Sequence, residues 1–309
     1  MAPTRWLVAS LSALVALLWL GPARAQYNPS AATNQPMEDV AVRKRVGGQL
    51  TIVKERRAVR ADRFGNAAGN QYDLAVDGAF KGQTVVVLHF YTGEGFDFSL
   101  PRKALAQKGF SVYRWSNGAP SPKELAGALD KACQLWIISG ERRHLDARHL
   151  RVIKRFFDSG RGVYIWGDNE PYYADANFVA QALLGAEMTG NLPGNNTVNL
   201  WPEKGRAGLL PNHLLTTGLA HLFEGITIAT IQPKQSRLKP LLYGSANNLV
   251  AAYYERGGRR AILDGGFTRL YLHWDTAGTA RYVKNAAAWL ANYERFGSKV
   301  LAPDRQARR

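Results

Sequence analysis

Asp168, Asn169 and Glu170 stand directly behind an apolar run at 163–166 that stops at Gly167. Tyr172, Tyr173, Asp175 and Asn177 follow within a few residues. Two carboxylates this close could work as general acid and base, or could hold a hard cation together with Asp175. A plainer role fits the same residues: Asp168 and Asn169 ordering the turn and capping the next helix. Residues two apart often point in different directions, so Asp168 and Glu170 are catalytic candidates and not yet a dyad. Asn169, Tyr172 and Tyr173 are the ligand-binding candidates beside them. Glu94, Arg142, His144, Asp264, Arg269 and His273 fall on loops behind other expected strands and could converge there. Of these, Glu94 and Arg142 join the ligand-binding set. Tyr172 and Tyr173, with Trp115, Trp166 and Trp201, could offer an aromatic surface on which sugars stack, although Trp166 lies inside a strand and reads as core.

Other chemistries lack their residues. His144 and His149 are five apart and no HExxH occurs, so no zinc site is expected. The loop Tyr91, Thr92, Gly93, Glu94, Gly95 has Phe98 where a dinucleotide fingerprint has its third glycine. No Gly-x-Ser-x-Gly elbow is present. The expectation is therefore no metal and no cofactor. Cys133 is the sole cysteine, lies ahead of a strand and reads as a small buried hydrophobe, and no intramolecular disulfide can form. Asn195, Asn196 and Thr197 match a glycosylation sequon, which matters only in a eukaryotic secretory route.

The elements that must position these residues alternate regularly from residue 81 onward. Apolar runs predict strands at 84–90, 110–115, 135–138, 163–166 and 260–264. Between them lie a helix capped by Ser99, one opened by the Ser121, Pro122, Glu124 capping signature, one capped by Asp146, and one over 175–184. Thr276 is the expected cap of a terminal helix reaching about residue 293. Residues 186–258 carry short β-like runs between turn residues, read as an antiparallel extension of the same domain. Strand and helix in alternation point to a mainly parallel sheet, whose ligands sit outside the carboxyl ends of the strands.

The chain has 309 residues, 46% hydrophobic and 21% charged, an ordinary globular mixture. Its net charge of +16 attracts polyanions. Residues 1–25 read as a signal peptide: Arg5, an apolar stretch over 6–20, then Ala23, Arg24, Ala25 as a small-x-small cleavage site. That predicts a secreted or periplasmic protein with no transmembrane segment after cleavage. Export disfavours nucleic acid as the partner and leaves a small polar ligand or an acidic envelope polymer. Residues 26–80 are expected to be flexible and basic, with a spacer up to about 40 and one strand at 50–53 in a possible β-hairpin. This basic stretch is either a solvated edge hairpin, as most charge runs are, or a contact arm for an acidic partner. Residues 297–309 form a basic tail.

The motifs 135–140 (LWIISG) and 163–171 (VYIWGDNEP), separated by a helix, resemble the core of the class I glutamine amidotransferase-like superfamily. The late strand 261–264 with Gly265 and Gly266, and the helix carrying NAAAW at 285–289, resemble most its trehalose-utilisation (ThuA-like) branch. The resemblance covers about residues 82–295. It implies a flavodoxin-like three-layer α/β sandwich over 81–296, with a mainly parallel sheet and an antiparallel extension. Family enzymes carry a cysteine on the turn after the fourth core strand, which matches Asp168, and a histidine after the late strand, which falls near Phe267. The usual glycine is replaced by Glu170. Both thiolate and imidazole base are missing, so glutaminase or cysteine-protease activity is not expected. By analogy with the family's oxyanion-hole side, Ser139 and Gly140 would line the adjacent wall. Three readings remain open: a non-thiol binding domain for a polar, carbohydrate-like ligand; a hydrolase or isomerase using Asp168 and Glu170; and an envelope scaffold with a vestigial site.

Overall fold

Four strands built mainly of apolar residues lie side by side in the middle of the molecule, and every residue of two of them is buried. Strands buried on both faces must be covered by helices on both faces, and that requirement sets the architecture. The computed structural model describes residues 27–201, 207–234 and 237–297; the expected signal peptide, and all of the expected basic tail beyond Gly297, lie outside these residues. In chain order the elements are β1 (Met37–Val46), β2 (Gln49–Ala58), β3 (Thr84–His89), α1 (Ser99–Gln107), β4 (Ser111–Ser116), α2 (Pro122–Leu129) and β5 (Gln134–Ile138). There follow α3 (Ala147–Asp158), β6 (Gly162–Trp166), α4 (Ala174–Leu184), β7 (Ala186–Pro193), β8 (Thr197–Asn199), β9 (Gly208–Leu209) and β10 (His221–Phe223). The chain continues through β11 (Thr227–Pro233), β12 (Lys239–Tyr243), β13 (Leu249–Arg256), β14 (Arg259–Asp264), α5 (Thr279–Leu290) and α6 (Tyr293–Phe296).

The main sheet has the order β4-β3-β5-β6-β14-β13-β12-β9. The first five strands pair in parallel. The last three add antiparallel strands to β14. Numbered along the chain, the parallel part reads 2-1-3-4-5, the flavodoxin-like order. Alternate residues of each strand face opposite layers. Val85, Val87, Trp136, Tyr164 and Ile262 pack with Leu105 of α1 and Val283, Ala286 and Ala287 of α5. Val86, Leu88, Ile137, Ile165 and Leu263 pack with Leu125 of α2, Ile153 of α3 and Val179 of α4. The fold is therefore a three-layer α/β sandwich carrying antiparallel β additions. Residues from β7 to β13 supply those additions, including the separate pairs β7 with β11 and β8 with β10.

Several local expectations need correction. Residues 27–36 are docked rather than a free spacer: Tyr27 bridges Ala75, and buried Asn34 donates to the carbonyls of Thr216 (3.0 Å) and Leu219 (2.7 Å). Polar composition misled here, because the asparagines replace apolar burial with hydrogen bonds to backbone. The basic segment forms two ten-residue strands around Gly47 and Gly48, longer than the expected strand at 50–53. Ser99 does not cap α1; the Asp97 carboxylate accepts its N–H at 2.8 Å. Helix α5 starts at Thr279, with left-handed Gly278 before it and Thr276 outside. The caps at Ser121 and Asp146 form as the sequence predicts, each in a reciprocal capping box.

Candidate functional site

Strand β4 lies outside β3, while β5 lies on its other side, so the connections leaving β3 and β5 run in opposite directions and mark the switch point of this topology. The turn after β6 and the loop after β14 border the same sheet edge. Gly167 lies close against its neighbours where β6 ends: a Cβ there would stand 2.5 Å from Met188 Sδ, which would have to shift, and 3.1 Å from Tyr173 Cβ. Its N–H donates to Asp264 O at 2.8 Å, and its carbonyl accepts the N–H of Phe267 at 3.1 Å. The turn is thus clamped to the loop after β14.

Asp168 is fully buried and both of its carboxylate oxygens accept from protein donors. Oδ1 accepts from Asn169 N (2.8 Å) and from Thr227 Oγ1 of β11 (2.7 Å), and Oδ2 accepts from Thr268 N (2.9 Å). Burial pushes its carboxyl up to about 7, with these donors opposing the rise. Glu170, by contrast, is exposed, with its N–H on Gly190 O at 3.0 Å and a cis peptide to Pro171. One carboxylate is sealed in the interior and the other faces solvent, so the expected acid–base pair is not assembled. Asp168 orders the turn, as the plainer reading held, yet it does not cap the next helix. That task falls to Ser139, whose Oγ accepts the N–H groups of Asp175 (2.9 Å) and Ala176 (3.2 Å) in the first turn of α4.

The remaining predicted residues divide in the same way. Ser139 is buried and committed to α4, so it is not free to line a wall. Gly140 sits where a Cβ would come within 3.2 Å of Phe90 O, which makes it a close-approach residue. Asp175 is buried, accepting from the N–H groups of His144 (2.9 Å) and Leu145 (2.8 Å), with His144 Nδ1 at 3.1 Å. It fixes the loop after β5 and is not available to a cation. Arg142 is exposed beside Glu141 (3.3 Å). Asn169 donates to Glu170 O at 3.0 Å within the turn. Asp264 and Arg269 form an ion pair inside the molecule. Tyr282 OH (2.9 Å) and Tyr164 OH (3.2 Å) donate to Asp264, and Arg269 donates to the carbonyls of Phe223 (3.0 Å) and Glu224 (3.2 Å). His273 is exposed. Cys133 is buried, and burial pushes its thiol up to about 11. Among the described residues, no group of three His, Cys, Asp or Glu side chains is gathered to hold a metal ion.

What converges at the sheet edge is aromatic. Tyr91, directly behind β3, meets Tyr172 edge-on at 5.1 Å and Phe267 at 5.0 Å between ring centres. Tyr271 stacks on Phe96 at 4.4 Å, and its hydroxyl lies 3.4 Å from both Tyr91 OH and Glu94 Oε2. Phe96 and Phe267 are buried, the three tyrosines are half-buried, and Glu94 is exposed in a left-handed conformation. Burial raises the phenol pKa of Tyr91 and of Tyr271, so both are neutral hydroxyl groups at physiological pH. Of the predicted ligand residues, Glu94 and Tyr172 belong to this group; Tyr173 packs instead in the layer of α2, α3 and α4. Tyr91, Phe96 and Tyr271 were not singled out. The available signal was an aromatic residue within three positions of the end of each of two parallel strands, at Tyr91 and at Phe267.

No protein-family model and no curated protein sequence matches the chain. Solved structures do. One is a ThuA-like protein from Parabacteroides merdae, 12% identical with TM-score 0.44, covering 68% of this chain and 90% of that one. Another is the exo-β-1,4-mannosidase Op5Man5 from Opitutaceae bacterium strain TAV5, 13% identical with TM-score 0.38, covering 68% of this chain. This chain spans 36% of the mannosidase chain.

Proposed function

We propose that this chain is an exported, non-thiol relative of the class I glutamine amidotransferase-like superfamily, allied to its ThuA-like branch, which binds a polar, carbohydrate-like ligand at the carboxyl edge of its sheet. One observation carries the reading. The position matching the family's nucleophile holds a buried carboxylate bonded to three protein donors, while the sheet edge beside it carries Tyr91, Tyr172, Tyr271 and Glu94 in contact with one another. Tyrosine faces stack on the C–H faces of sugar rings while their hydroxyls and a carboxylate take the sugar's hydroxyl groups. The rim of Tyr91, Tyr172, Tyr271 and Glu94 holds neither a thiol nor an imidazole, so the family's thiol chemistry has no residues there.

Electrophoresis of the chain through gels carrying soluble polysaccharides tests this. Retardation by at least one glycan, reduced in Tyr91→Ala and Tyr271→Ala, is the expected result, together with no release of ammonia from glutamine. Glutamine hydrolysis by the chain, or unchanged retardation in both tyrosine variants, would overturn the reading.

A further inference from the structure

The hairpin formed by β1 and β2 separates its charges by face. The strands pair in register from Met37 with Ala58 to Val46 with Gln49, and they pair only with each other. Side chains alternate along a strand, and directly paired residues share a face. One face therefore carries Glu38, Arg57, Val40, Glu55, Val42, Val53 and Lys44. Its charges are neutralised internally, Lys44 on Glu55 and Arg57 on Glu38 at 3.5 Å. Its valines Val40, Val42 and Val53 are half-buried beneath those pairs. The opposite face carries Arg43, Arg45, Lys54 and Arg56 against the single carboxylate of Asp39. None of these four cations forms an ion pair among the described residues, and all are exposed.

Large aliphatic side chains also project from the end of this arm. Leu50 and Ile52, on the cationic face, are 67% and 66% exposed, and Val46, on the ion-paired face at the turn, is 56% exposed. The far end of the hairpin is anchored: Val59 is buried and donates to Pro36 O at 3.1 Å. A two-stranded ribbon of this length is marginal in water unless one face is covered. Here the ion-paired side chains cover one face and the cationic face stays open.

We propose that this hairpin docks the protein on an anionic lipid surface, with Leu50 and Ile52 entering the headgroup boundary and Arg43, Arg45, Lys54 and Arg56 lying against the lipid phosphates. Cations beside apolar side chains at a free tip match a surface that is anionic outside and hydrocarbon beneath. A soluble polyanion would take the cations and leave the aliphatic tip in water. Only the tip enters, because the open edges of both strands carry unpaired peptide groups that hydrocarbon would not solvate. This site is separate from the tyrosine cluster at the sheet edge and does not depend on it.

Co-sedimentation of the chain from Gln26 onward with vesicles tests the proposal. Vesicles of phosphatidylcholine containing phosphatidylglycerol are compared with phosphatidylcholine alone, and heparin and duplex DNA serve as soluble polyanions. Binding to the anionic vesicles is expected to fall about fivefold for each removed cation, so roughly 30-fold in Arg43→Ala/Arg45→Ala. In Leu50→Ser/Ile52→Ser it should fall roughly tenfold or more, with heparin binding unchanged. Both pairs are exposed, so the unfolding midpoint should stay within error and separates docking from misfolding. No preference for anionic vesicles, or full binding by Leu50→Ser/Ile52→Ser, would overturn the proposal. Tighter binding to heparin or DNA than to vesicles, insensitive to Leu50 and Ile52, would assign the arm to polyanions instead and equally overturn it.

Discussion

Replacing Asp168 by asparagine should change how the stability of this protein depends on pH. The carboxyl is fully buried, and burial pushes it from the ordinary 3.8 up to about 7. A carboxyl raised on folding is protonated in the native chain at pH values where the unfolded chain has already ionised. Its contribution is fully present below the unfolded value and is lost as pH rises through the folded value. The gap between 3.8 and about 7 corresponds to about 4 kcal/mol, at roughly 1.4 kcal/mol per pH unit. Most of that loss falls between about pH 4 and about pH 8. An asparagine side chain cannot ionise, so Asp168→Asn removes the pH-dependent part. It also places an amide group among the N–H donors of Asn169 and Thr268, which costs a constant amount at every pH. The assay is denaturant unfolding of wild type and Asp168→Asn across this range. The difference between the two should move by about 4 kcal/mol in favour of the variant as pH rises, with every other titrating group cancelling. Parallel curves would sink this expectation, because they would mean that Asp168 titrates as it does in the unfolded chain.

Three further outcomes follow from buried polar groups. Burial and the neighbouring Arg114 lower the pKa of His89 from 6.5 to about 4, so stability present above the unfolded value is lost as pH falls toward 4; His89→Gln should flatten that acid limb in the same unfolding assay. Asp73 faces Lys108 (2.9 Å), Lys284 (2.7 Å) and Arg281 (2.7 Å), and these cations overcome burial to hold its carboxyl below the ordinary range. Asp73→Asn leaves those cations buried with too little compensation and should cost about 3–5 kcal/mol in chemical unfolding. Cys133 should resist a thiol reagent in the native chain and react stoichiometrically after denaturation, since its thiol is buried with a pKa of about 11.

Much of the sheet was legible because the strand pattern is strong. Uninterrupted apolar runs such as 135–138 and 163–166 can be buried only in a covered parallel sheet, and glycines and capping residues such as Ser121 and Asp146 punctuate them locally. The site was legible in location but not in composition. Asp168 looked available because its partners, Thr227 and Thr268, lie 59 and 100 residues away, and no local pattern announces them. Ser139 looked like a wall residue for the same reason: its two donors come from α4, more than thirty residues on. Tyr91 comes from the loop after β3 and Phe267 and Tyr271 from the loop after β14, and only the strand order brings them together. The docked residues 27–36 were hidden because asparagine side chains that satisfy distant carbonyls are indistinguishable, in sequence, from those of a solvated spacer.

The proposed function assigns ligand binding to the tyrosine rim and a purely architectural role to the residue at the nucleophile's place. Glycan retardation measured side by side for Tyr91→Ala/Tyr271→Ala and Asp168→Asn, each shown to be folded by its unfolding transition, separates the two roles. Binding should be lost in the tyrosine pair and kept in Asp168→Asn. Binding kept in the tyrosine pair and lost in a folded Asp168→Asn would contradict that assignment.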